Sequence, residues 1–196
     1  MFRTFYIAQD ERALLLRRGD FVDVLRPGDH VRFDPLRRYA VERFNVADAC
    51  FHHRFTNYIM NARPAIAQRE FHVIRTGAAE VVVRYQDGAL AEVLPPNTRA
   101  LYWKSYIDQR FERYDISQDF AIAPRLALEL ESARGAVFLA TEGVTRVEVP
   151  EYHVGLLYVD GKLGPVLQPG AHYFWDFINY FSTELVHVHC AGAELH

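Results

Sequence analysis

Short apolar runs alternate with polar turn signals along this chain, in a pattern that predicts strands far more often than helices. Ala13-Leu14-Leu15-Leu16 follows Glu11-Arg12, Val81-Val82-Val83 follows Glu80, and Val154-Gly155-Leu156-Leu157-Tyr158-Val159 follows His153. Aliphatic and β-branched runs of this length, bounded by turn residues, read as strands. Each run meets a glycine turn, at Gly19, Gly88 and Gly161. Asp87-Gly88 and Asp160-Gly161 are the favoured pair for a type I′ hairpin, which needs positive φ at both central residues. The first stretch keeps only Gly19, which leaves room for a different turn there. A second strand then ends at Val24-Leu25, Val93-Leu94 and Val166-Leu167. Pro27, Pro96 and Pro169 close it, because proline fixes φ and has no N–H to donate. Next stand Gly28, Asn97 and Gly170, residue types that tolerate left-handed backbone. A third strand carries an aromatic at Phe33, Tyr102 and Trp175. A fourth, of alternating polarity, covers 39–44, 109–114 and 183–188 and suits a half-buried antiparallel position.

Residues 18–30, 87–99 and 160–172 are therefore three copies of one motif, and internal repetition decides how the rest is read. Between the copies lie two helical inserts. The first spans Asp48 to Arg69, with Phe55 and Ile59 one turn apart and Pro64 opening a second short helix. The second spans Pro124 to Arg134, with Leu126 and Leu130 on one face and Gly135 at its end. The expected fold is mainly β with short helices (α+β). It consists of three tandem small antiparallel β modules at 1–47, 71–117 and 136–196, with helical inserts at 48–70 and 118–135. The residues that define the shared shape are Gly19, Pro27, Gly28 and His30; Gly88, Pro96 and Asn97; and Gly161, Pro169, Gly170 and His172.

With 196 residues, the chain is long enough to bury roughly 70% of its unfolded surface. A composition of 50% hydrophobic and 24% charged residues is globular in character. A net charge of −3 gives no electrostatic case for nucleic acid. Cys50 and Cys190 are too few for a disulfide framework and suit reduced thiols in a cytosol. The start, Met1 to Ile7, has no apolar stretch of the signal-peptide kind. The apolar run from Gly135 to Ala140 is far short of the roughly 20 residues that span a bilayer. The expectation is a cytoplasmic protein, with peripheral contact at the cytoplasmic face of a membrane left open.

The third copy carries a resemblance. Pro150-Glu151-x-His153-Val154-Gly155-Leu156-Leu157-Tyr158, then Asp160-Gly161-Lys162-Leu163, Val166-Leu167-x-Pro169-Gly170-x-His172 and Phe174-Trp175, resembles bacterial slipins of the stomatin/prohibitin/flotillin (SPFH, band 7) superfamily. Asp10 to Asp34 and Glu80 to Trp103 resemble the same motif. The resemblance implies a non-catalytic scaffold that self-associates or docks on a protein partner near a membrane. It also implies that 136–196 is the start of an SPFH-like domain. Slipins of this kind continue into the rest of that domain and a long oligomerising helix. The segment His187 to His196 does not look like the continuing strand, and the expectation is a C-terminally shortened relative.

Several side-chain groups are candidates for chemistry. His30 with Asp34 and His172 with Asp176 repeat one spacing. They suit either an oriented imidazole for acid–base work or a bond that steadies the Pro-Gly corner. The second copy has Arg99 and Trp103 there instead, which favours the structural role. His187, His189, Cys190 and His196 offer a zinc-like ligand set, although strand alternation puts Cys190 on the other face from His187 and His189. His52-His53 point roughly 100° apart on a helix, and Cys50 reads as a buried bystander. The sequence contains no glycine-rich phosphate loop and no G-x-S-x-G elbow. These readings make the chain a non-enzyme without metal or cofactor, working as a homo-oligomer or with a protein partner. Two alternatives stand beside it: a metal-dependent hydrolase using the duplicated His-Asp pairs, and a soluble ligand-binding β protein. Aromatic residues, 14% of the chain, are expected mostly in the core, with exposed ones available to a partner or membrane surface.

Overall fold

The computed structural model describes residues 1–132 and 143–188. The first stretch forms β1 (Phe2–Ile7), β2 (Glu11–Arg17), β3 (Asp20–Leu25), β4 (Gly28–Phe33) and β5 (Tyr39–Asn45). The short helices α1 (Thr56–Ala62) and α2 (Pro64–Glu70) follow. The second stretch forms β6 (Phe71–Arg75), β7 (Glu80–Gln86), β8 (Ala89–Leu94), β9 (Arg99–Trp103) and β10 (Gln109–Asp115), then α3 (Pro124–Glu131). The last forms β11 (Val144–Val149), β12 (His153–Val159), β13 (Lys162–Leu167), β14 (Gly170–Trp175) and β15 (Phe181–His187). The protein is mainly β, with small antiparallel sheets and short helices.

Strand pairing is the same in each stretch. β1 pairs with β4 while β2 lies between β3 and β5; β6 pairs with β9 while β7 lies between β8 and β10; β11 pairs with β14 while β12 lies between β13 and β15. The hairpin turns explain part of this likeness. Arg18 and Gly19 (φ 55° and 88°), Asp87 and Gly88 (51° and 79°), and Asp160 and Gly161 (50° and 75°) all have positive φ at both central residues. The first turn thus matches the others although it lacks the aspartate. Its Arg18 N–H donates to the Arg38 carbonyl at 2.9 Å, as Asp87 does to Asp108 at 3.0 Å and Asp160 to Tyr180 at 2.9 Å. A backbone bond from the same place holds all three.

The registers correct one column. Phe2 lies opposite Phe33, Phe71 opposite Trp103 and Val144 opposite Trp175. The aromatic position of the second stretch is therefore Trp103, and Tyr102 is its neighbour. The spacing from Leu94 to Trp103 is one residue longer than those from Leu25 to Phe33 and from Leu167 to Trp175. The first helical insert is also shorter than its composition suggests. Residues 48–55 are not helical: Trp103 N–H donates to Ala49 O at 2.9 Å and Phe51 N–H to Leu101 O at 2.8 Å, which hold residues 49–51 beside β9. Pro64 does open α2, at the position where its missing N–H costs nothing. Arg134 and the run from Gly135 to Ala140 lie outside the described residues.

The chain gathers into two compact units. The first contains Met1–Arg75, Gln86–Ala89 and Asn97–Arg110; the second contains Thr76–Tyr85, Leu90–Pro96 and the described residues from Phe111 onward. In the first unit β2 is buried on both faces, which is why its apolar run is continuous instead of alternating. One face places Leu14 and Leu16, with Phe21 and Val24 of β3, under Phe71, Leu101 and Trp103 and against Ile59, Met60 and Ala67 of the helices. The other places Ala13, Leu15 and Leu25 against Ile7 of β1. In the second unit Val81, Val83 and Tyr85 of β7 pack with Leu126, Ala127 and Leu130 of α3 and with Tyr173 and Trp175 of β14. Leu157 of β12 packs with Val149, Leu167 and Phe174. Among the described residues no helix is long and apolar enough to cross a membrane.

Candidate functional site

The proline corners bring the repeated histidines into place. Gly28 and Gly170 take φ of 124° and 134°, where L side chains are strained, and Asn97 takes the left-handed value of 59°. After the corner the chain turns back along its ladder, so the imidazole two residues on reaches the residue before the proline. His30 Nε2 lies 2.7 Å from the Arg26 carbonyl oxygen, and His172 Nε2 lies 2.8 Å from that of Gln168. A carbonyl only accepts, so each imidazole donates from Nε2. The two aspartates have other work. Asp34 is buried and accepts from the backbone N–H of Arg38 at 2.7 Å and of Tyr39 at 3.1 Å, with Arg3 at 3.4 Å. Burial pushes its pKa up, but the Tyr39, Arg38 and Arg3 donors outweigh it and hold the carboxyl below its ordinary value. Asp176 accepts from the Thr145 hydroxyl at 2.6 Å. The duplicated spacing thus yields two corner braces and two separate carboxylate tasks.

The remaining candidates are similarly placed. His53 Nε2 lies 2.8 Å from Glu42, with its ring against Phe44, Phe51 and Phe55. Cys50 is half-buried and its backbone bridges to Tyr102. The His187 ring stands edge-on to His153 at 4.9 Å. His189, Cys190 and His196 lie outside the described residues. Among the described residues no group of three His, Cys, Asp or Glu side chains is arranged to hold a metal ion.

Two concavities add residues that sequence spacing did not single out. One, of about 340 Å³, is lined by Asp23, Arg26, His30, Arg32, Arg69 and Glu70. Glu70 is buried and accepts from Arg26 Nε at 3.0 Å and Arg69 Nε at 2.6 Å, while Arg69 Nη2 donates to Asp23 at 2.8 Å. The hydrogen bonds to Glu70 and Asp23 raise the Arg69 pKa further. This network fastens the end of α2 to β3, and its charges largely answer one another. Its partners are more than forty residues apart in sequence, so no local motif announces it. The other, of about 330 Å³, lies between α3 and β14 and is mostly apolar, with Ile122, Ala127, Leu128 and Phe174 in its lining. At its rim the Tyr173 hydroxyl donates to Glu131 and accepts from Arg146 Nε at 3.1 Å. Burial and the Glu131 bond raise the Tyr173 pKa. Neither concavity presents a nucleophile with a base beside it, the geometry that acyl or phosphoryl chemistry needs. No protein-family model, curated protein or solved structure matches the chain.

Proposed function

We propose that this chain is a non-catalytic assembly module, made by triplication of one five-strand unit, which self-associates. The observation that carries this reading is the recurrent pairing of a two-stranded ladder and a three-stranded sheet, in the same strand order, in all three stretches. Repeat architectures bury their apolar faces by stacking neighbours, and their outermost faces need a cover. The polar residues favour the same reading. The repeated histidines brace corners, and the Arg26, Arg69, Asp23 and Glu70 network joins a helix to a strand. The slipin-like residues of the third stretch agree with such a scaffold, working in the cytoplasm at a membrane surface. The test is sedimentation velocity on the purified chain from micromolar to near-millimolar concentration, with liposome flotation alongside. The expected outcome is a mass that rises with concentration. A strict monomer throughout would overturn the reading.

A further inference from the structure

We infer that one copy of this chain docks on another by laying the outer face of its β1–β4 ladder on the bare face of the other copy's β13-β12-β15 sheet. The inference rests on the self-association reading and names the surfaces that perform it. It follows from an interface that each of the two compact units builds once for itself.

Residues directly opposite one another in an antiparallel pair share a face. In the β6–β9 ladder one face carries Phe71 with Trp103 and Val73 with Leu101. That face seats on Leu14, Leu16, Phe21 and Val24 of the β3-β2-β5 sheet. In the β11–β14 ladder the matching pairs are Val144 with Trp175 and Arg146 with Tyr173. There Tyr173 and Trp175 seat on Val81, Val83 and Tyr85 of β7. The β1–β4 ladder has the same face, made by Phe2 with Phe33 and Thr4 with Val31. Among the described residues this face is open: Phe2 is 70% exposed, Phe33 62% and Val31 53%. The Phe2 and Phe33 rings already stand edge to face at 5.3 Å, ready as one aromatic block.

The acceptor is the mirror of this situation. Leu14 lies opposite Val24 and Glu42, and Leu16 opposite Phe21. In the last stretch Leu156 lies opposite Val166 and Glu184, and Tyr158 opposite Leu163, with the register shift of the strand pair in the same place. Leu163 and Val166 therefore occupy the positions of Phe21 and Val24, which are each 4% exposed under the β6–β9 ladder. Leu163 is 61% exposed and Val166 51%. Val188 repeats the backbone bond of Val46, at 2.7 Å against 2.9 Å, and is likewise uncovered where Val46 is buried. Among the described residues, an apolar ladder face without a sheet is thus matched by an apolar sheet face without a ladder, and the two are complementary by construction. Because the two faces differ, the contact is heterologous, and copies joined through it either close into a ring or extend as a chain.

Sedimentation velocity on two variants tests the assignment. Phe33→Glu spoils the ladder face and Val166→Glu the sheet face; both side chains are more than half exposed, and thermal melts check that each variant folds. Wild type is expected to gain mass with concentration, and each variant alone to remain monomeric. An equimolar mixture is expected to form a one-to-one dimer and nothing larger, since each variant retains the face that the other lacks. Phe2→Ser and Leu163→Ser are a second pair with the same expected pattern, in case a glutamate prevents folding. If wild type associates and the variants associate equally, the inference falls while the self-association reading stands. If the mixture fails to pair, the two faces do not meet each other, and the inference falls. If wild type is monomeric throughout, the reading itself falls.

Discussion

Asp34 shows how a single residue is legible by type and not by task. The sequence places it four residues after His30, a spacing that suggests an imidazole–carboxylate pair. The imidazole instead turns back to the Arg26 carbonyl, and the carboxylate caps the turn before β5 by accepting from the Arg38 and Tyr39 N–H groups. The glycine, asparagine and proline positions were easier to read, since they act through their own backbone and need no distant partner. Asp34 has a pH consequence. Its folded pKa lies below the unfolded value, near 3.9, so it contributes stability that is fully present above that value. That contribution is lost as pH falls through the lower, folded value. Melting temperature measured against pH should therefore fall more steeply for wild type than for Asp34→Asn below about pH 4. Parallel acid limbs would show that the carboxylate contributes nothing specific to the fold.

At the scale of elements, the strands were readable because apolar runs and turn residues report local backbone. The non-helical segment 48–55 was not, since residues 49–51 are fixed by bonds to β9, about fifty residues later. The aromatic column slipped by one place for a related reason: the longer turn before β9 shifts the residue that meets the sheet from Tyr102 to Trp103. Position within a ladder predicts very different energetic consequences for equivalent residues. Trp103 is buried among Phe44, Phe51 and Phe71, with ring centroids at 5.9, 5.1 and 4.2 Å. Removing a side chain so placed costs about 3–5 kcal/mol, so Trp103→Ala should lower the urea midpoint sharply. Phe33 occupies the same register position in an uncovered ladder. Phe33→Ala, measured at a concentration too low for association, should change stability by less than about 0.5–1 kcal/mol. Equal losses from the two substitutions would mean that Phe33 is covered within its own chain.

For the whole molecule, the motif that recurs in the sequence matches a recurring strand order, but the division into two compact units was not visible there. Repeats are a property of local pattern, whereas units are set by which apolar faces meet. The first stretch illustrates the difference. Residues 1–47 hold β1 to β5 and one complete cluster, Ile7 with Ala13, Leu15 and Leu25. The opposite face of β2 and β3, with Leu14, Leu16, Phe21 and Val24, keeps Phe44 and Val46 within that span but takes most of its cover from Phe51, α1, α2, β6 and β9, all outside it. Fully burying each such side chain is worth about 1.5–3 kcal/mol, so leaving four of them largely bare removes stability of the order that a domain possesses. A peptide of residues 1–47 is therefore expected to lack a cooperative thermal transition and to show collapsed amide dispersion in dilute solution. A folded, monomeric peptide with a sharp transition would establish the single repeat, and not the compact unit, as the cooperative element. It would also show that a bare sheet face of this kind is tolerated without a ladder laid upon it.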